Sequence, residues 1–224
     1  MSTLETVEIE TAPRPAAAVI WMHGLGADGN DFAPVVPELA RGGLPAVRFV
    51  FPHAPMQPVT INNGYVMRAW YDVSFGDLEG KTKCADERGV RASQAAIEAL
   101  IARENQRGID ARNIVLAGFS QGGAIALQTG LRHAERLAGV MALSTYLPLA
   151  GSLAAEASPA NRDVPIFFAH GTDDPVIPFA MAAVSREQLA KSGYAVEWHE
   201  YPMQHSVCLE EIAAISTWLN AVLR

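Results

Sequence analysis

Asn113-Ile114-Val115-Leu116-Ala117-Gly118-Phe119-Ser120-Gln121-Gly122-Gly123-Ala124 is the stretch that decides the fold. Its first five residues read as a short buried strand, and the residues from Gln121 onward open a helix that runs to about His133. Between them Gly118-Phe119-Ser120-Gln121-Gly122 fits the G-x-S-x-G elbow, a turn so tight that only glycine fits at its flanks. Such a turn lifts the serine hydroxyl above the edge of a sheet, and the helix start aims free N–H groups and a positive dipole end at the same spot. The five residues alone are common, but the strand before them and the helix after them make Ser120 a candidate nucleophile.

Outward from the elbow, short apolar runs alternate with longer segments of helical period, the pattern of a mostly parallel sheet with helices on both faces. Strands are predicted at Ala17 to Met22, Ala46 to Phe51, Asn113 to Ala117, Gly139 to Leu143, Val164 to Ala169 and Ala195 to Tyr201, with a weaker one at Thr6 to Thr11. Helices are predicted near Asp31 to Arg41, Asp86 to Arg107, Gln121 to His133, Phe179 to Ser192 and Ser206 to Leu223, the second capped by Asp86 and closed by Gly108. Pro52 to Lys83, with Pro52, Pro55, Pro58, Gly64, Gly76 and Gly80, reads as a long irregular excursion. With 224 residues and no linker or internal repeat, residues 1–224 are taken as one α/β domain.

A net charge of −7, from 24 acidic and 17 basic residues without a basic cluster, leaves no footprint for nucleic acid or anionic membranes. Glu5, Glu8 and Glu10 stand where a secretory signal needs positive charge, and no apolar run is long enough to span a bilayer, so stable membrane insertion is not expected. Cys84 and Cys208 form no disulfide framework or zinc spacing and read as free thiols of a cytoplasmic protein. The sequence does not fix the oligomeric state; a homodimer is compatible with it.

A serine nucleophile needs a base, and in chains built on this elbow the acid and the histidine follow the serine in order. Of six histidines, His23, His53 and His133 precede that position or sit on a helix, His170 ends a strand ahead of the acids, and His199 lies inside an alternating strand. His205, in the loop Pro202-Met203-Gln204-His205, remains. Asp173 and Asp174 are adjacent acid candidates that local physics does not separate; the other aspartate is expected to cap the turn or the following helix. Oxyanion donors are expected from the N–H of Gln121 and from the loop His23-Gly24-Leu25-Gly26-Ala27-Asp28-Gly29, where Leu25 N–H is the choice. Gly24-x-Gly26-x-x-Gly29 also has the form of a dinucleotide fingerprint. It fails because the second strand ends in Phe51-Pro52-His53 without an acidic residue and the following helix carries Pro34 and Pro37. No HExxH or facial-triad spacing is present, so no metal and no cofactor are expected.

Together, His23 to Asp31, Trp70-Tyr71-Asp72, the elbow through Ala124, Leu143-Ser144-Thr145-Tyr146-Leu147-Pro148, His170-Gly171 with Asp174-Pro175, and His205-Ser206 resemble the acyl-protein thioesterase and bacterial carboxylesterase family along nearly the whole chain. The resemblance implies a compact α/β-hydrolase fold without a large cap domain and cofactor-independent cleavage of carboxylic esters or thioesters by a Ser-Asp-His triad. It places the acid before a proline, at Asp174, and agrees on Leu25 and Gln121. It implies a serine carboxylesterase for short to medium acyl chains, with acyl-protein thioesterase or lysophospholipase as alternatives and a non-catalytic binding protein of the same fold further behind. The partner is then a small-molecule ester or an acylated substrate. The loop carrying Met67, Trp70, Tyr71 and Phe75 would line the acyl site, Trp70 foremost, with Val176 as an apolar wall beside the acid. A neutral His205 base further implies activity that falls as the imidazole is protonated and is indifferent to chelators.

Overall fold

The computed structural model describes residues 4–74, 76 and 86–223. Strand β2 (Ala17–Met22) shows why the central sheet forms. Ala18, Ile20 and Met22 point into one apolar core and Ala17, Val19 and Trp21 into the other, so the strand is buried on both faces as a parallel sheet under two helical layers requires. The sheet has seven strands: β1 (Thr6–Glu10), β2, β3 (Val47–Pro52), β6 (Ile114–Phe119), β7 (Gly139–Leu143), β8 (Ile166–Gly171) and β9 (Val196–Tyr201). Their order is β1-β3-β2-β6-β7-β8-β9, and all neighbours are parallel except β1, which pairs antiparallel to β3 in the register Glu8↔Val50.

One face is covered by α2 (Glu87–Gln106), α3 (Gln121–Gly130) and α5 (Phe179–Lys191), the other by α1 (Val36–Ala40) and α6 (Leu209–Val222). A one-turn helix, α4 (Leu153–Glu156), lies between β7 and β8. Asp86 caps α2 as expected, accepting from Gly89 N–H, and Gly108 follows it at φ +92°. The segment predicted as helix near Asp31 to Arg41 is instead a 3-10 turn, Ala33–Val35, running into the five-residue α1; Pro34 and Pro37 each remove a backbone donor.

The excursion after β3 is less irregular than its composition implies. It contains a hairpin, β4 (Met56–Val59) and β5 (Tyr65–Arg68), paired antiparallel with Val59 opposite Tyr65. Asn63 and Gly64, at φ +55° and +76°, make the turn. Phe75 and Cys84 lie outside the described residues. Among the described residues no helix is long and apolar enough to cross a membrane.

Candidate active site

Ser120 sits at φ +53°, ψ −121°, a conformation that a residue with a side chain occupies only under external constraint. The constraint is visible. Ser120 N–H donates to Leu143 O on β7 at 2.8 Å, and its carbonyl accepts from Ala124 N–H at 3.1 Å and from the Thr145 hydroxyl at 2.7 Å. A Cβ on Gly118 would lie 2.2 Å from the Gly122 backbone, and one on Gly122 would lie 2.3 Å from Met22 O, so both elbow glycines are required by close approach.

Three side chains converge above the C-terminal ends of β6, β8 and β9. His205 Nε2 lies 2.9 Å from Ser120 Oγ, and His205 Nδ1 lies 2.7 Å from Asp174 Oδ2. The imidazole rests against the Phe119 ring, with centroids 4.7 Å apart. The loop carrying His205 reaches the acid because β8 ends in glycine: a Cβ on Gly171 would stand 2.3 Å from Met203 O and 2.5 Å from Gln204 O. Asp173 N–H then donates to Met203 O at 3.1 Å, tying the two loops together.

Of the two adjacent aspartates, Asp174 is turned inward with its side chain fully buried, and Asp173 is exposed. The expected division of labour, with the other aspartate capping the turn or the helix, does not hold. Asp174 Oδ1 itself organises the turn, accepting from Val176 N–H at 2.8 Å and Ile177 N–H at 2.9 Å, while helix α5 starts at Pro178 without a side-chain cap. Burial pushes the Asp174 carboxyl up, but the His205 hydrogen bond and the Ile177 and Val176 amides outweigh it and hold the group below the ordinary carboxylate value. His170 lies beneath, its Nε2 2.9 Å from Ile177 O and 3.6 Å from Asp174 Oδ2; burial pulls its pKa down.

Among the described residues neither Leu25 N–H nor Gln121 N–H, the two expected oxyanion donors, has a protein acceptor. The Leu25 loop is fixed by tertiary contacts: Gly26 N–H donates to Arg68 O at 2.9 Å, and Gly29 N–H to His53 Nδ1 at 3.1 Å. Trp70 supports the site from below. Its ring is 1% exposed, its indole N–H donates to His23 O at 2.9 Å, and its backbone N–H donates to the Gln121 side-chain Oε1 at 2.9 Å. Gln121 Nε2 donates in turn to Tyr71 O at 2.7 Å. Val176 stands 45% exposed beside the acid.

Neither His23, which chain order excludes as the base, nor the Gln121 side chain stands out in the sequence; the one signal is a polar residue flanking an elbow or strand end that the fold buries. Among the described residues no group of three or more His, Cys, Asp and Glu side chains is arranged to hold a metal.

Fold and site together define an α/β-hydrolase of the serine type. The phospholipase/carboxylesterase family model matches residues 4–223, and the chain belongs to that family. It is similar to acyl-protein thioesterase 1 of Neurospora crassa, 42% identical over 219 residues that cover 95% of this chain and 89% of the relative. The corresponding protein of Mycosarcoma maydis is 39% identical, covering 100% and 99%. Among solved structures, Arabidopsis thaliana SOBER1 superposes with a TM-score of 0.83 at 30% identity, covering 93% of this chain and 99% of that one. Zea mays acyl-protein thioesterase 2 gives 0.83 at 25% identity, covering 98% and 99%. The chain is therefore a hydrolase of the esterase and thioesterase kind.

Proposed function

We propose that the protein is a carboxylic-ester hydrolase for short to medium acyl chains, acting in the cytoplasm through Ser120, His205 and Asp174. Ser120 Oγ attacks the acyl carbonyl while His205 Nε2 takes its proton, and the carbonyl oxygen becomes an oxyanion held by Leu25 and Gln121 N–H. His205 returns the proton to the departing alcohol or thiol as the acyl-enzyme forms; water, deprotonated by the same imidazole, then releases the acid. Asp174 holds the Nδ1–H tautomer and stabilises the imidazolium. The observation that carries this reading is the unbroken line Ser120 Oγ to His205 Nε2 to His205 Nδ1 to Asp174 Oδ2, at 2.9 and 2.7 Å.

Covalent labelling by a fluorophosphonate tests it, together with Ser120→Ala, which should fold normally and lose about 10⁵–10⁶-fold in kcat. Labelling of the variant, or more than a few per cent residual turnover, would sink the assignment. A second reading, hydrolysis of acyl-protein thioesters, is favoured by the relatives named acyl-protein thioesterase 1. Oxyester and thioester substrates of matched chain length separate the two readings. A kcat/KM at least tenfold higher on the thioester would move the assignment to the second.

A further inference from the structure

We infer that His23 is a positioning residue that aims the Leu25 N–H, setting one half of the oxyanion hole through the peptide bond between Gly24 and Leu25. The inference rests on the reading of Leu25 N–H as an oxyanion donor.

His23 is 2% exposed and both ring nitrogens are engaged. Nδ1 lies 2.7 Å from Gly24 O, an acceptor, and Nε2 lies 3.1 Å from Ala54 N–H, a donor. Only the neutral ring with its proton on Nδ1 satisfies both contacts. Burial pulls the His23 pKa down, which keeps that form in place.

The consequence follows from peptide geometry. Gly24 C=O and Leu25 N–H belong to one planar unit, and no peptide bond among the described residues is cis. In a trans peptide the two groups point in opposite directions, so a hydrogen bond that fixes the carbonyl fixes the N–H as well. The unit lies against the nucleophile, since a Cβ on Gly24 would be 3.5 Å from Ser120 Cβ. His23 is held from the other side too. Its own carbonyl accepts from the Trp70 indole, and the Trp70 backbone N–H meets the side chain of Gln121, whose N–H is the second donor. A chain of hydrogen bonds from His23 through Trp70 to Gln121 therefore ties the two donors, carried by separate elements, to one frame. Gly24 carries no side chain that could orient this peptide, so the imidazole supplies the constraint.

Two substitutions divide the roles of the ring. Asparagine places its amide N–H near the position of Nδ1 and keeps the bond to Gly24 O; glutamine places its oxygen near Nε2 and keeps the bond to Ala54 N–H. His23→Gln should lower kcat about 30- to 100-fold with KM changed by less than about threefold, since losing an oxyanion donor outright costs about 10²- to 10³-fold. It should weaken a trifluoromethyl ketone, whose adduct carries the oxyanion, by a similar factor. His23→Asn should recover most of both losses. A third variant, Leu25 replaced by its α-hydroxy acid so that the N–H becomes an ester oxygen, tests the underlying reading. If that ester keeps full kcat, Leu25 is not a donor and both the reading and the inference fall. If the ester loses kcat and His23→Gln does not, the reading stands and the inference is overturned. Equal losses in the Gln and Asn variants, tracking a lower melting temperature or a raised KM, would make His23 a packing residue and overturn the inference as well.

Discussion

Asp174 and Glu211 are two carboxylates withdrawn from solvent, one in the turn after β8 and one in the first turn of α6, and the protein treats them in opposite ways. Asp174 meets two backbone N–H groups and an imidazole, and its pKa is lowered despite burial. Glu211 has neither carboxylate oxygen in a full hydrogen bond; burial pushes it up to about 8, and the Cys208 N–H in front of it offsets only part of the cost. Its position three residues into the helix, after Cys208 at the cap, is that of a capping-box glutamate. Burial alone therefore does not decide whether a carboxylate is charged. The donors brought to it do, and only the Asp174 turn supplies enough of them.

The larger effect belongs to Asp174, where charge and donors meet. Asp174→Asn removes the charge but keeps the shape, and should lower kcat by about 10⁴-fold because the amide can stabilise neither the Nδ1–H tautomer nor the imidazolium. Steady-state kinetics beside a melting curve decide it, and a loss of less than tenfold would mean that the acid lies elsewhere.

Glu104 offers a third environment, fully buried but paired: with Arg48 at 2.7 Å, Arg107 at 3.0 Å and Arg103 at 3.1 Å. Glu104→Gln leaves the nearly buried Arg48 without that partner and should cost about 3–5 kcal/mol by denaturant unfolding. An unchanged midpoint would show that Glu10, the other partner of Arg48, suffices alone.

Glu211→Gln should act in the opposite direction. The folded state binds this proton more tightly than the unfolded chain, so the contribution of Glu211 to stability is full below its ordinary 4.5 and is lost as pH rises through about 8. The neutral amide should raise stability at pH 8 by up to about 4 kcal/mol and flatten the decline between those limits. Asp174 has the reverse sign: its contribution is present above the ordinary aspartate range and fades as pH falls. Thermal melts from pH 4 to 9 separate the two, and parallel curves for wild type and Glu211→Gln would refute the assignment. The smallest effect belongs to Asp173→Asn, which removes an exposed carboxylate and should change kcat by less than about threefold.

The elbow was legible because a turn that steric crowding reserves for glycine writes itself into five consecutive residues. His205 and the Asp173–Asp174 pair could be reached by chain order and by their places at strand ends. Local pattern does not choose between the two aspartates, because the choice depends on which side chain faces His205; only the family resemblance, through the proline after Asp174, points to one of them. The brace from Trp70 to His23 and Gln121 joins residues 47 and 51 positions apart and leaves no local pattern. The β4–β5 hairpin did carry a signal, Asn63-Gly64, but its four-residue strands include Pro58 and are too short to establish alternation.

The strand order also bears on how the chain is made. β2 is zipped to β6, with Ala18 opposite Ile114, so the centre of the sheet is missing until well over a hundred residues have left the ribosome. Before then β1, β2 and β3 can pair only with one another, and the edge of β2 that β6 later covers has no neighbour. Closing a loop of that length is entropically slow, and the bare edge of β2 invites pairing with other chains. Ser120 is translated 85 residues before His205. A chain that ends between Ser120 and His205 carries the elbow without its base, and by then β6 has covered β2, so the bare edge has moved outward to the strand added last.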